Sequence, residues 1–270
     1  MNKLDQYHQR QEAIQIFGNG FVEGASIAVQ LRLVALVARD ICKMHGAELK
    51  SFLMKFCEDH IKDYNYRVYY RAIDAACRYA NNKEHCLIEV DGIDVYKSEV
   101  EYIQSIGLTP KEEKVMFTIM MVKKLDRECF QQRHAGEEYS MLFLSVDEDK
   151  MKTIKRLTGI TSRLNLPKDI FHSWNQKGII SVTNTGIILN FMKEMVEDGD
   201  IVLNVKHYDN FGIYWDCIAG SDKRGVCHCC YKPYKPANNK SIYCKECSAK
   251  HGRRGNELPP VKEITCDNCG

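Results

Sequence analysis

Two Cys-x-x-Cys pairs near the end of the chain constrain its folding more tightly than any other feature. Cys227 and Cys230 form the first pair, Cys244 and Cys247 form the second, and 13 residues separate the two pairs. One such pair presents two thiolates from a single tight turn, called a knuckle below, and two knuckles complete the tetrahedral shell that Zn²⁺ prefers. The spacing therefore predicts a four-cysteine zinc site in a zinc ribbon or treble clef.

The residues around the knuckles predict the local structure of this module. Residues 231–234 favour a short hairpin after the first knuckle, with the sequence SIYC as its returning strand. A short helix is expected after Cys247. His228 and Cys229 lie inside the first knuckle as competing ligands, so the sequence leaves the ligand register open.

A third pair, Cys266 and Cys269, stands at the end of the sequence and has no obvious partner pair. Either it borrows ligands such as His251 or Cys217, or it meets further ligands in a natural chain that continues past Gly270. We favour the second interpretation. A redox role for the knuckles would need a pair at the start of a helix in a βαβ unit, and the sequence indicates no such unit.

The remaining cysteines and the composition indicate a reduced protein with a core. Of the 13 cysteines, six are scattered and seven crowd into residues 227–269, which argues against a secreted disulfide framework. Hydrophobic residues make up 44% of the chain, enough to bury a core. The N-terminus is polar, and the most apolar stretch is interrupted by Gln30 and Arg32. We therefore expect a soluble cytoplasmic protein without a membrane segment.

Positive charge is concentrated around the knuckles, although the net charge of the whole chain is only +2. Residues 221–255 contain nine lysines and arginines against two acids. Cationic side chains beside Tyr231, Tyr234 and Tyr243 suit contact with phosphates. The candidate phosphate-binding residues here are Lys232, Lys235, Lys250, Arg253 and Arg254. A structural clip with a solvated basic surface is the competing interpretation.

Residues 107–218 carry the element order of a winged helix-turn-helix. Capping signals at 109–112 and 145–148 begin two helices, with the short strand MLFLS between them. Pro167 begins a third helix that ends at Gly178, and the segments IISVT and IILNFM then form a hairpin around the turn NTG. A further strand, IVLNV, follows. In a winged helix, the last helix before the hairpin enters the DNA major groove.

The helix that begins at Pro167 is the candidate recognition helix. Four apolar side chains are expected to face inward: Leu166, Ile170, Phe171 and Trp174. The candidate DNA-binding residues, of types that reach base edges or phosphates, are Arg163, Lys168, His172, Asn175 and Gln176. Many winged helices bind only proteins, so a protein-docking role stays open.

The N-terminal third predicts a small helical domain. Helical patterns cover about 22–45, 47–62 and 65–81, after a lead-in at 1–20, and CLIEVDGIDVY is expected to form a hairpin with an Asp-Gly turn. In the third helix, one face is apolar and another carries three arginines with Asp74 between them, namely Arg67, Arg71 and Arg78. Such a stripe favours a solvated face with internal ion pairs over a phosphate track.

Three passages resemble a group of uncharacterised proteins from phages and mobile elements of Gram-positive bacteria. They are CLIEVDGIDVYKSEVEYIQSIG with KVMFTIMMVKKL, NQKGIISVTNTGIILNFM with HYDNFGIYW, and YCKECSAKH, and the resemblance covers most of residues 60–250. The group resembles phage replication-organiser and regulator proteins in having a winged helix. The resemblance implies a DNA-associated role in a bacterial host cell and four cysteine ligands in the knuckles. The crowded CHCC knuckle and the Cys266/Cys269 pair depart from it.

Motifs of common enzyme classes are missing from the sequence. It contains no glycine-rich phosphate loop, no His-Glu-x-x-His motif and no nucleophile elbow. Gly212, Ile213 and Tyr214 match a fragment of a nuclease signature whose second half is absent. Acid pairs such as Asp198 and Asp200 are explained by turn formation. We therefore expect that the protein is not an enzyme.

These observations predict an α+β, mainly helical chain with three consecutive parts. They are a helical domain with a small hairpin at 1–106, a winged helix-turn-helix at 107–218 and a zinc-binding module at 219–270. The function expected first is binding of double-stranded DNA in replication or transcription regulation of a mobile element. The alternative is an adaptor that captures a host replication, transcription or defence factor.

Overall fold

Helices dominate the described part of the chain, and the strands found there form three small sheets. The computed structural model describes residues 7–220, 224–236 and 242–251. It confirms an α+β, mainly helical class. Four residues of the predicted sites lie outside the described ones, namely Arg253, Arg254, Cys266 and Cys269. For Lys250, only the backbone is described.

The chain forms two compact units, each assembled from separated segments. The first unit contains the described part of Met1–Ile93 together with Met120–Leu144 and Ser181–Lys193. The second contains Asp94–Ile119, Ser145–Ile180 and the described residues that follow Lys193. The division into three consecutive domains stays a prediction.

Four helices build the core of the first unit. Their bounds are Gln9–Asn19 for α1, Ile27–Asp40 for α2, Gly46–His60 for α3 and Tyr66–Asn81 for α4. Helix α2 packs against the other three, so residues 33–38 are buried on every side. The buried Gln30 satisfies its amide by accepting from the Val22 N–H at 2.7 Å and donating to the Ala25 carbonyl at 3.2 Å. A satisfied amide costs little in an apolar core.

Helix α1 corrects the prediction that residues 1–20 are only a lead-in. Ala13 and Ile16 are fully buried and Phe17 packs against the same cluster. The spacing i, i+3, i+4 places all three on one helical face. The exposed Ile14 hides this pattern in the sequence, because it adds an apolar residue that does not belong to the buried face.

The predicted hairpin at residues 86–96 is also wrong. Its first arm bridges to the N-terminal segment, where the Gln9 N–H donates to the Ile88 carbonyl at 2.8 Å. Its second arm is strand β1 (Ile93–Tyr96), which pairs with β5 (Ile201–Val205). The Asp-Gly sequence favours a turn locally, but the two arms find partners far away in sequence, a choice that local signals do not encode.

Residues 110–188 follow the predicted order of helix, strand, helix, helix and hairpin, and their strands form one three-stranded sheet. Its strands are β2 (Phe143–Ser145), β3 (Ser181–Val182) and β4 (Gly186–Ile188), in the spatial order β2-β4-β3. Strands β3 and β4 pair antiparallel, with Ser181 opposite Ile188. The Thr183 hydroxyl donates to the Gly186 carbonyl and closes the turn between them. The predicted hairpin at this position is confirmed. Two short helices, α5 (Lys97–Ser105) and α9 (Phe191–Glu194), follow β1 and β4 along the chain.

A buried lysine anchors the segment that leads into β2. Lys123 belongs to helix α6 (Pro110–Arg133) and is 4% exposed. Its Nζ donates to the Tyr139 hydroxyl at 2.7 Å and to the Phe143 carbonyl at 2.8 Å. Burial, with the nearby charge of Asp126, raises the pKa of Tyr139, which therefore stays protonated near neutral pH. These contacts satisfy a charge that would otherwise be costly to bury.

Helix starts in the second unit use side-chain caps. The predicted capping box at α6 is confirmed, because the Glu112 N–H donates to Thr109 Oγ1 at 3.3 Å and the Thr109 N–H donates to Glu112 Oε2 at 3.0 Å. Helix α7 (Glu148–Leu157) is capped by Asp147, which accepts from the Lys150 N–H at 2.8 Å. Ser145 was expected here; the charged carboxylate is the stronger acceptor at a helix N-terminus.

Helix α10 (Phe211–Ala219) connects several elements of the second unit. The Asp216 carboxylate pairs with Lys114 Nζ of α6 at 2.6 Å, and Trp215 lies 5.3 Å from the Phe117 ring. Gly212 lies against the end of α7, where an added Cβ would collide with the Thr158 carbonyl oxygen. Only glycine permits this approach of α10 to the end of α7.

The tight contact at Gly212 predicts that Gly212→Ala lowers the stability of the protein. The new methyl group would displace the backbone of Thr158, at a cost of about 1–3 kcal/mol in the free energy of unfolding. Gly18→Ala is the matched control, because Gly18 is also helical but nothing lies within 4 Å of its Cβ position. The control should be neutral or stabilising by up to about 1 kcal/mol. Chemical denaturation of both variants tests the difference.

Two neighbouring glutamates predict opposite effects of pH. Burial opposes ionisation of Glu112, but the Thr109 backbone and hydroxyl, with the charge of Lys177, lower its pKa overall. Its stabilising contribution is therefore present above its ordinary pKa of 4.5 and is lost as pH falls through the lowered value. Burial raises the pKa of Glu113, so its charged form destabilises the fold at neutral pH.

We therefore expect Glu112→Gln to be less stable than the parent protein at neutral pH, with a difference that shrinks on acidification below pH 4.5. Glu113→Gln should be as stable as the parent protein at neutral pH, or more stable. Denaturant unfolding at neutral and acidic pH measures both. A Glu112→Gln penalty that does not change with pH would contradict the assignment of the effect to the carboxylate charge.

Candidate metal centre and nucleic-acid face

The four knuckle cysteines converge into one cluster. One Sγ atom from each of Cys227, Cys230, Cys244 and Cys247 lies within 4.8 Å of the others. The Sγ atoms of Cys230 and Cys244 are 3.8 Å apart. A tetrahedral ion with metal–sulfur bonds of about 2.3 Å requires sulfur–sulfur edges of about 3.8 Å. The cluster therefore has the ligand type, number and size to hold one metal ion.

A short antiparallel ladder encloses the first knuckle. Strand β6 (Gly225–Val226) precedes it and pairs with β7 (Pro233–Tyr234) behind it. Inside the ladder, the Tyr231 N–H donates to the Cys227 carbonyl at 2.8 Å. Tyr231 itself has a φ of 58° in the left-handed region, which turns the chain back towards β7.

This ladder corrects the predicted hairpin of the module. The expected returning strand was SIYC, but the strand that pairs with β7 is β6, which precedes the knuckle. Of the expected strand, Ser241 lies outside the described residues, and Ile242 accepts at its carbonyl from the His228 N–H at 3.1 Å. A strand pair that brackets the knuckle closes a shorter loop than the predicted one, which costs less conformational entropy.

The second knuckle opens helix α11 (Lys245–His251). The Cys247 N–H donates to Cys244 Sγ at 3.4 Å, and the Ser248 N–H donates to the Cys244 carbonyl at 2.9 Å. The Cys244 N–H in turn donates to Cys227 Sγ at 3.3 Å and joins the two knuckles. Backbone N–H groups aimed at sulfur stabilise thiolates, the form that binds metal. The predicted helix is present, but it starts inside the knuckle rather than after it.

Burial separates three of the four candidate ligand cysteines from their competitors, and Cys230 is half-buried. Cys227, Cys244 and Cys247 are at most 9% exposed, whereas His228 and Cys229 are exposed at the knuckle surface. Neither competitor belongs to the group whose ligand atoms converge. The sequence could not decide this register, because it depends on which side chains the turn directs inward.

The cluster favours the charged form of one thiol in particular. Burial opposes ionisation of Cys227, but the backbone N–H groups around it lower its pKa to about 6. A thiolate is therefore accessible near neutral pH without any large conformational change.

Four cysteines around one point also leave no open coordination position for a substrate or an activated water. The arrangement suits a structural metal rather than a catalytic one.

Three side chains that sequence reasoning missed hold the first knuckle in place. His207 Nε2 lies 2.8 Å from the Cys230 carbonyl oxygen. The buried Tyr214 donates its hydroxyl to the Tyr231 carbonyl at 3.1 Å, and Lys206 Nζ lies 4.4 Å from the centroid of the Tyr231 ring. The signal was the polar and aromatic passage KHYDNFGIYW, in which Tyr214 belongs both to the nuclease-like fragment and to a passage of the family resemblance. Its role depends on tertiary contact.

The candidate recognition helix α8 has a clear division into two sides. It begins as a wide π-type turn at Pro167–Phe171 and continues as a regular helix at His172–Gln176. The four residues predicted to face inward are all at most 3% exposed: Leu166, Ile170, Phe171 and Trp174. The five predicted polar residues are all exposed: Arg163, Lys168, His172, Asn175 and Gln176.

The start of α8 is fixed by local hydrogen bonds. The Asn165 side chain accepts from the Lys168 N–H at 3.2 Å, and the Asp169 carboxylate accepts from the Asn165 N–H at 2.7 Å. One turn later, Gln176 Nε2 lies 3.2 Å from His172 Nε2. These contacts order the exposed side of the helix, so its polar groups are held on a rigid element.

The predicted basic residues of the metal module are only partly described. Lys232 and Lys235 are exposed on either side of β7. The side chain of Lys250 lies outside the described part of the chain, together with Arg253 and Arg254. The candidate nucleic-acid residues therefore fall into two described sets, one on α8 and one beside the first knuckle.

The convergence of four sulfur atoms predicts how metal binding responds to substitution. Cys227→Ser and Cys247→Ser should each lose stoichiometric metal, because a hydroxyl is a poor replacement for a thiolate ligand. His228→Ala and Cys229→Ser are matched controls from the same knuckle and should retain one ion per chain. Titration of the thiolate absorption of bound Co²⁺ measures each. Loss of the metal in Cys229→Ser, with retention in Cys227→Ser, would contradict the assigned ligands.

Comparison of the chain with protein-family models, curated proteins and solved structures gives no match. Within residues 7–220, 224–236 and 242–251, no helix has both the length and the apolar character needed to cross a membrane. What the protein does is therefore inferred from its own residues.

Proposed function

We propose that the protein binds double-stranded DNA through a winged helix-turn-helix and that its cysteine cluster holds a structural Zn²⁺. It acts in the replication or transcription regulation of a phage or mobile element, in the cytoplasm of a bacterial host. The mobile-element setting is supported by the resemblance of the three passages described above. It is a binding protein and not an enzyme.

The observation that carries this proposal is the two-sided character of α8. Its apolar side is completely buried, while Lys168, His172, Asn175 and Gln176 remain exposed. A helix that needed only to fold could carry any polar residues there. These four types supply the donors and acceptors that read base edges and contact phosphates in a major groove.

The order of the elements supports the same assignment. Helix α6, strand β2, helix α7, helix α8 and the β3–β4 hairpin follow one another along the chain, and the strands adopt the spatial order β2-β4-β3. A three-stranded sheet that ends in a hairpin after the recognition helix is the sheet expected of a winged helix. Asn184 and Thr185 at the tip of the hairpin are exposed and would form the wing.

Zinc is the metal that best fits the cysteine cluster. Four thiolates at tetrahedral edges are typical of structural Zn²⁺ sites, and no exposed ligand position remains for catalysis. A knuckle within a hairpin, followed by a second knuckle at a helix start, agrees with the treble-clef arrangement. The exposed Lys232 and Lys235 beside the cluster would contact DNA backbone without reading sequence.

The test is binding of the full-length protein to labelled duplex DNA across a series of salt concentrations. Affinity should fall steeply as salt rises, because bound cations are released from the phosphates. Lys168→Ala should lower affinity and reduce the salt slope by about one for each lost phosphate contact. Lys232→Ala with Lys235→Ala should do the same without changing sequence preference. Lys83→Ala, at an exposed position outside both sets, is the charge-matched control.

A protein-interaction adaptor is the second candidate, and exposed apolar residues of the winged-helix sheet favour it. Phe143 on β2 is 40% exposed and Val182 on β3 is 60% exposed. Such residues suit contact with a partner protein. An adaptor would bind no random duplex even at low salt, would be indifferent to Lys168→Ala, and would co-purify with a host protein unless Phe143 or Val182 were replaced by a polar residue.

A further inference from the structure

Helix α4 presents an outer face that the proposed duplex contact does not use. Two tyrosine rings, Tyr66 and Tyr70, are 38% and 37% exposed on successive turns. An exposed arginine directly follows each of them, and a third lies further along the helix. We call this set the α4 stripe: Tyr66, Arg67, Tyr70, Arg71 and Arg78.

The arginines of the stripe are not neutralised as the sequence predicted. Asp74 was expected to pair with them, but it pairs with Lys50 of α3 at 2.7 Å. The Asp74 carboxylate between the arginines is therefore paired with another helix and does not neutralise them. The face carries more effective positive charge than the sequence indicates.

Within the part of the chain that the structure describes, no other acid takes the place of Asp74. Among the described residues, none of Arg67, Arg71 and Arg78 forms an ion pair with a carboxylate. Arg71 Nε donates instead to the Tyr70 hydroxyl at 3.0 Å, and its guanidinium lies 5.8 Å from the centroid of that ring. Three arginines without an acidic partner on one helix face either solvent alone or a polyanionic ligand. The aromatic rings beside them favour a ligand.

The tyrosines of the stripe are not required by the core. The opposite face of α4 supplies the packing through Ile73, Ala76 and Ala80, which are fully buried. The rings of Tyr66 and Tyr70 lie 6.1 Å apart and are tilted by 48°. Both residues keep more than a third of their surface exposed beside this contact, so each ring retains area for a flat partner.

We propose that the α4 stripe binds single-stranded nucleic acid. Unpaired bases stack on Tyr66 and Tyr70, while phosphates contact Arg67, Arg71 and Arg78. Base–aromatic stacking next to cationic groups is the usual way in which proteins hold single strands without reading their sequence. A duplex is not the ligand, because its bases hide their faces by stacking on one another. The stripe spans about 18 Å along α4, from residue 66 to residue 78.

An acidic protein segment is the other polyanion that three cations would attract. The exposed rings favour a nucleic acid instead, because an aromatic face stacks well on a flat base and offers an acidic side chain little. A nucleic acid supplies flat bases and regularly spaced charges together. The stripe therefore fits a strand whose bases are unpaired, such as an opened duplex or a transcript.

The test uses the full-length protein and a labelled oligothymidylate, with affinity followed by fluorescence anisotropy across a salt series. Tyr66→Ala with Tyr70→Ala should weaken binding about tenfold or more and leave the salt slope unchanged. Tyr66→Phe with Tyr70→Phe keeps both rings and should bind like the parent protein. Arg67→Ala with Arg71→Ala should lower the salt slope by about 1.4, at about 0.7 for each phosphate contact on a single strand.

Three controls keep the outcomes separate. Lys83→Ala with Lys193→Ala removes two exposed charges elsewhere in the same unit and should leave oligothymidylate binding close to that of the parent protein. Lys168→Ala should weaken duplex binding only, and the stripe variants should weaken single-strand binding only, so failure of one proposal does not imply failure of the other. Circular dichroism checks that every variant stays folded, which the exposure of the stripe leads us to expect.

Three results would overturn the proposal. One is the absence of oligothymidylate binding at low salt. Another is equal affinity of the parent protein and the Tyr66→Ala, Tyr70→Ala variant. The third is displacement of the oligonucleotide by polyglutamate at matched charge, which would identify the stripe as a surface for acidic proteins.

Discussion

The close packing of helix α10 is the constraint on which much of the second unit depends. Gly212 lets the helix backbone approach Thr158 at the end of α7, and Asp216 pairs with Lys114 of α6. Tyr214 on the same helix donates its hydroxyl to the Tyr231 carbonyl beside the first knuckle. One helix therefore positions the metal module and supports α6 and α7 at the same time. The segment that carries the cysteine cluster is therefore held by a hydrogen bond from α10 and does not depend on a metal ion alone.

The candidate metal site is built mostly from buried groups, whereas the proposed nucleic-acid surfaces are built from exposed ones. The four cysteines converge where the backbone donates hydrogen bonds to sulfur, which suits a closed structural site. The surfaces proposed to meet nucleic acid are polar or cationic sides of helices whose other sides are buried, namely α8 and α4. Both helices hold their functional side chains on rigid backbone, which reduces the entropy lost on binding.

Much of the fold and of the candidate site follows from local sequence signals. The capping box at Thr109, the helix start at Pro167 and the hairpin after Gly178 are all present, because each depends on groups a few residues apart. Helix α1 was missed because it is short and the exposed Ile14 blurs the period of its buried face. The hairpin at 86–96 was wrong because strand β1 has its partner in β5, more than 100 residues away. Pairing between distant strands is set by packing and not by the turn between them.

The sequence by itself determined which cysteines could form a metal site and which side of α8 would be buried. Both follow from spacing: a Cys-x-x-Cys turn presents its two thiols together, and a 3.6-residue period assigns the faces of a helix. Only the tertiary structure decided that His228 and Cys229 stay exposed at the knuckle surface, that Tyr214 and His207 hold the knuckle, and that Lys50 pairs with the Asp74 that lies between the arginines of α4. Each of these depends on groups that the chain brings together from separate elements, and no local pattern encodes such contacts.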